Sequence, residues 1–323
     1  MEPSNPQSPS REWNKGKNKP QDDVIYNYVG GSFYASSDCS LSVHDICVLR
    51  GFGVFDYLRT YNHGTPFRLS DHVRRLRYSA DQIGLDLVLQ DEEIVDIVQK
   101  TIAQNAEHRT SEGHAHEWGI RLVATGGTSP GGFLPESGQS KLVVLMDPLS
   151  VVEPIDAPLH SEGIKIATSR VPNSFPTIKS TNYLGAIMAT QAAKRQGASD
   201  ALYMDVNETV TECTRANIFF VNKNGVIVTS NRNILEGITR KVVLDILGAS
   251  SQYTVETRVV TLAEALDAEE AFVTSTTKEL LPVVAIDDVP IGTGTPGPVT
   301  RDIHRLFVAY AQDSTAGVES GEI

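Results

Sequence analysis

The sequence predicts two α/β domains, on three observations. Its 323 residues, 40% of them hydrophobic, can bury more than one core. Period-two apolar segments alternate with segments of helical spacing in both halves. Prolines at Pro148, Pro154 and Pro158 mark a connection between the halves. The expected divisions are a loose tail over 1–23, a small α/β domain over 24–147, a connection over 148–158, a large domain with a β core over 159–312, and a loose C-terminus over 313–323.

The first residues are polar and cannot repay the entropy of ordering. Val24 to Val29 alternates as a strand, and Gly30-Gly31 turns it. Gly53 to Tyr61 is a second strand with Phe55, Tyr57 and Arg59 on one face, where the arginine either snorkels or lines a polar pocket. Leu69-Ser70-Asp71 offers an N-cap for a helix over His72 to Ala80. Arg68, Arg74, Arg75 and Arg77 gather there; a solvated face is the plain reading, one cation turned inward to a phosphate the sharper one. Asp91 to Asn105 carries Ile94, Ile97, Val98 and Ile102 at helical spacing. His114 and His116 are spaced like metal ligands, but with no third ligand nearby a solvated loop is expected. Glu117 to Thr125 is a strand that ends in a Gly-rich loop, Gly126 to Gly132, without the ending of a P-loop. A strand over Lys141 to Met146 closes the first half.

In the second half Ile164 to Ser169 is a strand. A helix from Asn182 to Gln196 is capped by Ser180 or Thr181 and stopped by Gly197. Strands over 201–205, 209–213, 217–221 and 226–229 form a meander, with Asn224-Gly225 as a hairpin turn. Gly237 to Arg240 opens a helix that runs to Leu247, and the strand Glu270 to Thr274 ends in a run of hydroxyls through Thr277.

A formal net charge of −12 argues against nucleic acid or an anionic membrane as partner and leaves small molecules. Three cysteines, Cys39, Cys47 and Cys213, support neither a disulfide framework nor a metal site, so a reducing, cytoplasmic compartment is expected. No apolar run approaches the roughly 20 residues of a membrane span, and no signal peptide is expected.

The chemistry centres on Lys179, with Ile178 before it and a helix after it. A lysine deprotonated in a partly apolar site attacks an aldehyde. If that aldehyde is pyridoxal phosphate, a carboxylate must face the ring nitrogen, and Glu212 on a nearby strand is the candidate. The phosphate needs an anion site. Gly237-Ile238-Thr239 offers free amides, a hydroxyl and the positive end of a helix dipole; Ser275, Thr276 and Thr277 add hydroxyls and Arg75 a cation.

Gly-Val-Phe-Asp at 53–56, Asp-His-Val-Arg-Arg-Leu at 71–76, the run from Lys179 to Leu184, the run from Thr211 to Phe219, Leu-Glu-Gly-Ile-Thr-Arg at 235–240 and the run from Ser275 to Val283 follow in this order. Together they resemble the fold type IV pyridoxal-phosphate enzymes, which include branched-chain aminotransferases, D-amino acid aminotransferases and aminodeoxychorismate lyases. The resemblance extends from about Val24 to Leu306. It implies an α/β (α+β) two-domain fold with the cofactor between the domains and a partly barrel-like β core in the second. It also implies that Lys179 is the Schiff-base and proton-shuttling lysine, that Glu212 binds the pyridine nitrogen, and that Leu235 packs on the ring. Arg75, Ile238, Thr239, Ser275 and Thr276 then hold the phosphate. Tyr183 meets the ring hydroxyl, although its offset from the lysine departs from that in branched-chain enzymes.

The same resemblance bears on substrate. The arginine and histidine that trap the carboxylate in the best-known D-amino acid aminotransferases correspond here to Gly131 and Phe133. Branched-chain enzymes carry a tyrosine, reaching across a dimer, near Arg50, and an arginine near Arg121; this chain has arginine at both places. Arg121, with Arg50 from a partner subunit, is therefore expected to receive the carboxylates of an amino acid and a 2-oxo acid such as 2-oxoglutarate, an arrangement similar to that of a less common group of D-amino acid aminotransferases. Phe55, Arg59 and Thr277 are expected on the substrate side, in an enzyme that is at least a homodimer. Transamination of a D-amino acid such as D-glutamate or D-alanine is the leading expectation. An L-branched-chain aminotransferase is the first alternative, with a lyase of aminated chorismate, an (R)-amine transaminase and a non-catalytic cofactor-holding protein behind it.

Overall fold

The structure, a computed structural model, describes residues 24–108, 116–149, 158–171 and 173–316. In the first half, β1 (Tyr26–Val29), β2 (Ser32–Ala35), β3 (Gly53–Tyr61), β4 (Thr65–Pro66), β5 (Glu117–Thr125) and β6 (Lys141–Leu149) form one sheet in the order β2-β1-β6-β5-β3-β4. All its pairings are antiparallel. Between these strands come α1 (Ile46–Arg50), α2 (Leu69–Gln82) and α3 (Asp91–Gln104). Val73, Leu76 and Ala80 of α2 and Ile94 and Val98 of α3 share a core with Leu58, Ile120, Leu122 and Val144 of the sheet.

The second half follows α4 (Pro158–Glu162) with β7 (Ile164–Ser169), α5 (Leu184–Arg195), β8 (Asp200–Met204), β9 (Thr209–Cys213), β10 (Asn217–Val221) and β11 (Val226–Thr229). Next come α6 (Ile238–Ala249), β12 (Thr254–Thr257), β13 (Val260–Thr261), α7 (Leu262–Leu266), β14 (Glu270–Ser275), β15 (Glu279–Ile286), β16 (Val289–Pro290) and α8 (Pro298–Thr315). Its sheet runs β12-β11-β10-β14-β15-β7-β8-β9-β13, with β16 beside β15. Two parallel pairs form where a helix carries the chain back, β7 with β8 through α5 and β11 with β12 through α6, and a third joins β7 to the distant β15. A bridge between Cys213 and Ala216 brings β9 and β10 together at one corner, so the path nearly closes on itself.

Of the expected meander, the hairpins β8–β9 and β10–β11 form, and only the link between β9 and β10 is reduced to that corner. Beyond it β9 pairs with β8 and β13, while β10 pairs with β11 and β14. Phe219 of β10 lies opposite Phe272 of β14 in register and stacks on it at 4.9 Å, a contact that ties β10 to a strand far along the chain.

Three helix ends depart from expectation. α2 starts at Leu69 behind Arg68, whose φ of 56° is left-handed, and Asp71 caps nothing: its carboxylate pairs with Arg68 and Arg74. α5 starts at Leu184, because the Thr181 hydroxyl is spent on the carbonyls of Gly51 and Gly53 and Ser180 is drawn into a bridge with Val54. α8 continues through Thr315, past the start of the expected loose end, and β6 runs to Leu149, into the expected connection. His116 leans on Trp118 with ring centroids 5.5 Å apart, whereas His114 lies outside the described residues. No group of three metal-binding side chains and no helix long and apolar enough to cross a membrane occur among the described residues.

Candidate active site

Lys179 belongs to the second half by sequence but is held by the first sheet. Its carbonyl accepts the Phe55 amide at 2.8 Å, the Thr181 amide donates to Gly53 at 2.9 Å, and its own amide donates to the Ser79 hydroxyl at 3.2 Å. The residues around it thus add a short extended stretch to the free edge of β3. Its Nζ stands 4.5 Å from the centroid of the Phe55 ring, in the wall of a cavity of about 600 Å³. Burial lowers the lysine to about 8, and Arg75 adds to the shift against the opposing pull of Asp56 and Glu212.

Glu212 lies in the same wall, held from three sides. The Leu235 amide donates to it at 3.0 Å, Asn217 Nδ2 at 3.1 Å and Asn173 Nδ2 at 3.4 Å. Burial raises it to about 8, against the Leu235 hydrogen bond and the charges of Lys179, Arg240 and Arg75. Its neighbour Thr211 points elsewhere, as the strand period requires, its hydroxyl donating to the Tyr203 carbonyl.

Arg75 is the cation that turns inward. Asp56, fully buried on β3, grips it through two bonds of 2.8 Å, and a third guanidinium N–H donates to the Glu236 carbonyl at 3.0 Å. His72, one turn back on α2, meets the same carboxylate at 2.6 Å through Nδ1. Burial alone would raise Asp56, but Arg75 and His72 outweigh it and hold the carboxyl well below the usual range. Burial keeps the His72 imidazole low. The other three cations stay on the outside of α2 or pair there, Arg68 and Arg74 with Asp71 and Arg77 with Asp91.

Arg75 therefore reaches the residue before Gly237, where α6 begins. The amides of Ile238 and Thr239 lie in the first turn, which has no partner within the helix, and both residues line the cavity. Gly237 is required by packing rather than by its dihedrals, since a Cβ there would overlap the Asn217 amide oxygen. Ser275, Thr276 and Thr277 line the cavity from the turn between β14 and β15, and the Thr276 hydroxyl donates to the Tyr57 carbonyl at 3.1 Å. The Thr274 hydroxyl, in the same wall, is buried without a hydrogen-bond partner among the described residues. A free acceptor and donor so placed suits a polar ligand.

Phe55, Tyr57 and Arg121 form the side contributed by the first sheet. Arg121 lies opposite Tyr57 in the register of β3 and β5, its guanidinium 5.4 Å from the ring centroid. No carboxylate among the described residues lies within ion-pair distance of it. Tyr183 meets Phe55 edge to face at 5.2 Å, and burial together with Glu212 pushes its hydroxyl up to about 12. Leu235 completes the wall.

Two expected residues stand apart. Arg59 is buried away from the cavity, paired with Glu279 at 3.3 Å and lying over the Tyr61 ring, so β3 twists its cation past the pocket that Phe55 and Tyr57 line. Arg50 is exposed at the end of α1, outside the cavity of its own chain. Residues the sequence reading missed are Asp56, His72, Asn217 and Asn173, which orient Arg75 and Glu212. The spacing of His72 and Arg75 on one helix face was the available signal.

A model of the class IV amino-transferase family matches residues 53–286. A protein of Methanocaldococcus jannaschii, provisionally named a branched-chain-amino-acid aminotransferase, is 33% identical over 87% of this chain and 94% of its own. The D-alanine aminotransferase of Staphylococcus haemolyticus is 31% identical over 90% of this chain and 99% of its own. Among solved structures, the T.th. branched-chain amino acid aminotransferase with pyridoxamine 5'-phosphate superposes with a TM-score of 0.80 at 27% identity, covering 90% of this chain and 95% of that one. Matched over most of its length to relatives that carry the same fold, the chain belongs to the class IV aminotransferases and is a pyridoxal-phosphate-dependent aminotransferase.

Proposed function

We propose that the enzyme moves an amino group between a D-amino acid, such as D-glutamate or D-alanine, and a 2-oxo acid such as 2-oxoglutarate. Arg121, a cavity cation without an acidic partner among the described residues, suits a substrate carboxylate, and the second arginine, Arg50, where branched-chain enzymes carry a tyrosine, is the observation behind this reading. Arg50, beside the exposed Val48 and Leu49, is free to enter the pocket of a second copy in a homodimer. Bound pyridoxal phosphate supplies the electron sink for the electrons left at the substrate α-carbon. The residues do the rest. Lys179 Nζ, its proton affinity lowered to about 8, takes the α-proton and returns it on the far side of the exchange. Glu212, aimed by Leu235, Asn217 and Asn173, faces the ring nitrogen. Arg75 and the first amides of α6 receive the phosphate, with Ser275 and Thr276 beside them, while Leu235 and Tyr183 border the ring and Thr277 and Phe55 the substrate.

A second reading has support in the apolar lining of Phe55, Val123, Phe175 and Ile178, which suits an L-branched-chain side chain. Half-reactions separate the two. With the holoenzyme, D-glutamate or D-alanine is expected to bleach the absorption of the bound cofactor while L-leucine leaves it unchanged; the reverse result moves the assignment to the branched-chain group. Arg121→Leu is expected to lower kcat/KM for 2-oxoglutarate by on the order of a hundredfold, the worth of a lost charged bond or two.

A further inference from the structure

Glu279 sits where a hairpin turn normally asks for glycine. β14 and β15 pair Ser275 with Glu279 around a three-residue turn, and Glu279 has a φ of 52°, a left-handed backbone that costs a side-chain-bearing residue energy. Something must hold it there. Its carboxylate is buried among three donors from three residues: Tyr61 Oη of β3 at 2.7 Å, Arg59 of β3 at 3.3 Å and His304 Nε2 of α8 at 2.9 Å. His304 is itself pinned by His160 of α4, stacked on it with ring centroids 4.8 Å apart. Burial would raise this carboxyl, yet His304, Tyr61 and Arg59 hold it below its ordinary value.

The turn in between faces the cavity. Its other anchor is the Thr276 hydroxyl on the Tyr57 carbonyl, and the Tyr57 amide in turn donates to Asp56 at 2.7 Å, the carboxylate that grips Arg75. The turn is thus fixed at both ends to β3, beside the cation of the anion site. The Thr276 and Thr277 amides make no hydrogen bond among the described residues. We propose that Glu279 is a positioning residue for the reaction: by locking its carboxylate to Arg59, Tyr61 and His304 it fixes the Ser275–Lys278 turn so that the turn's amides meet the cofactor's phosphate. This rests on the reading that the turn lies at the phosphate.

The experiment compares binding of pyridoxal phosphate and of pyridoxal, which lacks the phosphate, to the cofactor-free enzyme and to Glu279→Gly and Glu279→Gln. Glycine keeps the left-handed turn and removes the carboxylate; glutamine keeps the size and removes the charge. Both are expected to weaken pyridoxal phosphate by on the order of tenfold and pyridoxal by less than about twofold. A merely structural role would weaken both ligands alike, and equal or no weakening overturns the proposal. Tyr61→Phe and His304→Gln, each removing one donor, give smaller shifts of the same selectivity and stand in if the Glu279 variants do not fold. Thr276→Val, which frees the other anchor, separates the two ideas. Selectivity lost there but not in the Glu279 series leaves the turn at the phosphate and removes Glu279 as its clamp. Selectivity lost in neither removes the turn from the phosphate.

Discussion

Lys179 and Glu212 share one cavity with shifts of opposite sense, and the pH response of the cofactor-free protein follows from them. Glu212 is raised from 4.5 to about 8, so between those values the folded chain holds more protons than the unfolded one and stability falls as pH rises. Lys179 is lowered from 10.5 to about 8, so above that value the unfolded chain holds more protons and stability rises with pH. Together they place a shallow minimum of melting temperature near pH 8. Thermal melts of the cofactor-free protein across about pH 5 to 10 should show the minimum in the parent and not in Glu212→Gln; a minimum that survives the substitution contradicts the assignment. Both residues were legible in the sequence, not by local pattern, since a lysine before a helix is commonly a surface residue and a strand glutamate commonly solvated, but by the ordered motifs they belong to. Asp56 was not. A carboxylate in mid-strand reads as half-exposed, and only the fold brings His72 and Arg75 against it.

At the scale of elements, α6 delivers its first turn to the cavity because Gly237 lets Asn217 close in behind it, and Asn217 in turn holds Glu212. Gly237→Ala forces that side chain away. It is expected to cost about 1–3 kcal/mol in a urea unfolding curve, the usual penalty of overpacking, and to weaken pyridoxal phosphate binding at the same time. A variant that loses neither would show that the contact yields freely. The start of α6 was legible, as were the bounds of β3, β5 and β9, because glycines and period-two alternation are local signals. The starts of α2 and α5 were not. Asp71 and Thr181 are good capping residues, but arginines in one case and the carbonyls of Gly51 and Gly53 in the other compete for them and win.

At the scale of the whole molecule, the two sheets share apolar contacts as well as the cavity. Tyr61 and Phe67 of the first half are buried in a cluster with Phe219, Phe272, Phe307 and Leu280 of the second. The halves should therefore unfold together. Phe67→Ala is expected to cost about 3–5 kcal/mol and to lower one calorimetric transition without splitting it; two separated transitions in the parent would contradict this coupling. The pairing of β10 with β14 and the reach from Arg59 to Glu279 were beyond the sequence, because each joins residues that no local pattern relates. The lysine's backbone belongs to the edge of β3, and that attachment has a bearing on how the chain tolerates change. The position of Lys179 Nζ relative to Phe55 and Arg121 is set by a sheet, not by the length of chain leading to it. Lengthening the chain between Leu149 and Pro158 is expected to cost about 0.6 kcal/mol for each doubling of its length and to leave the nitrogen where it is.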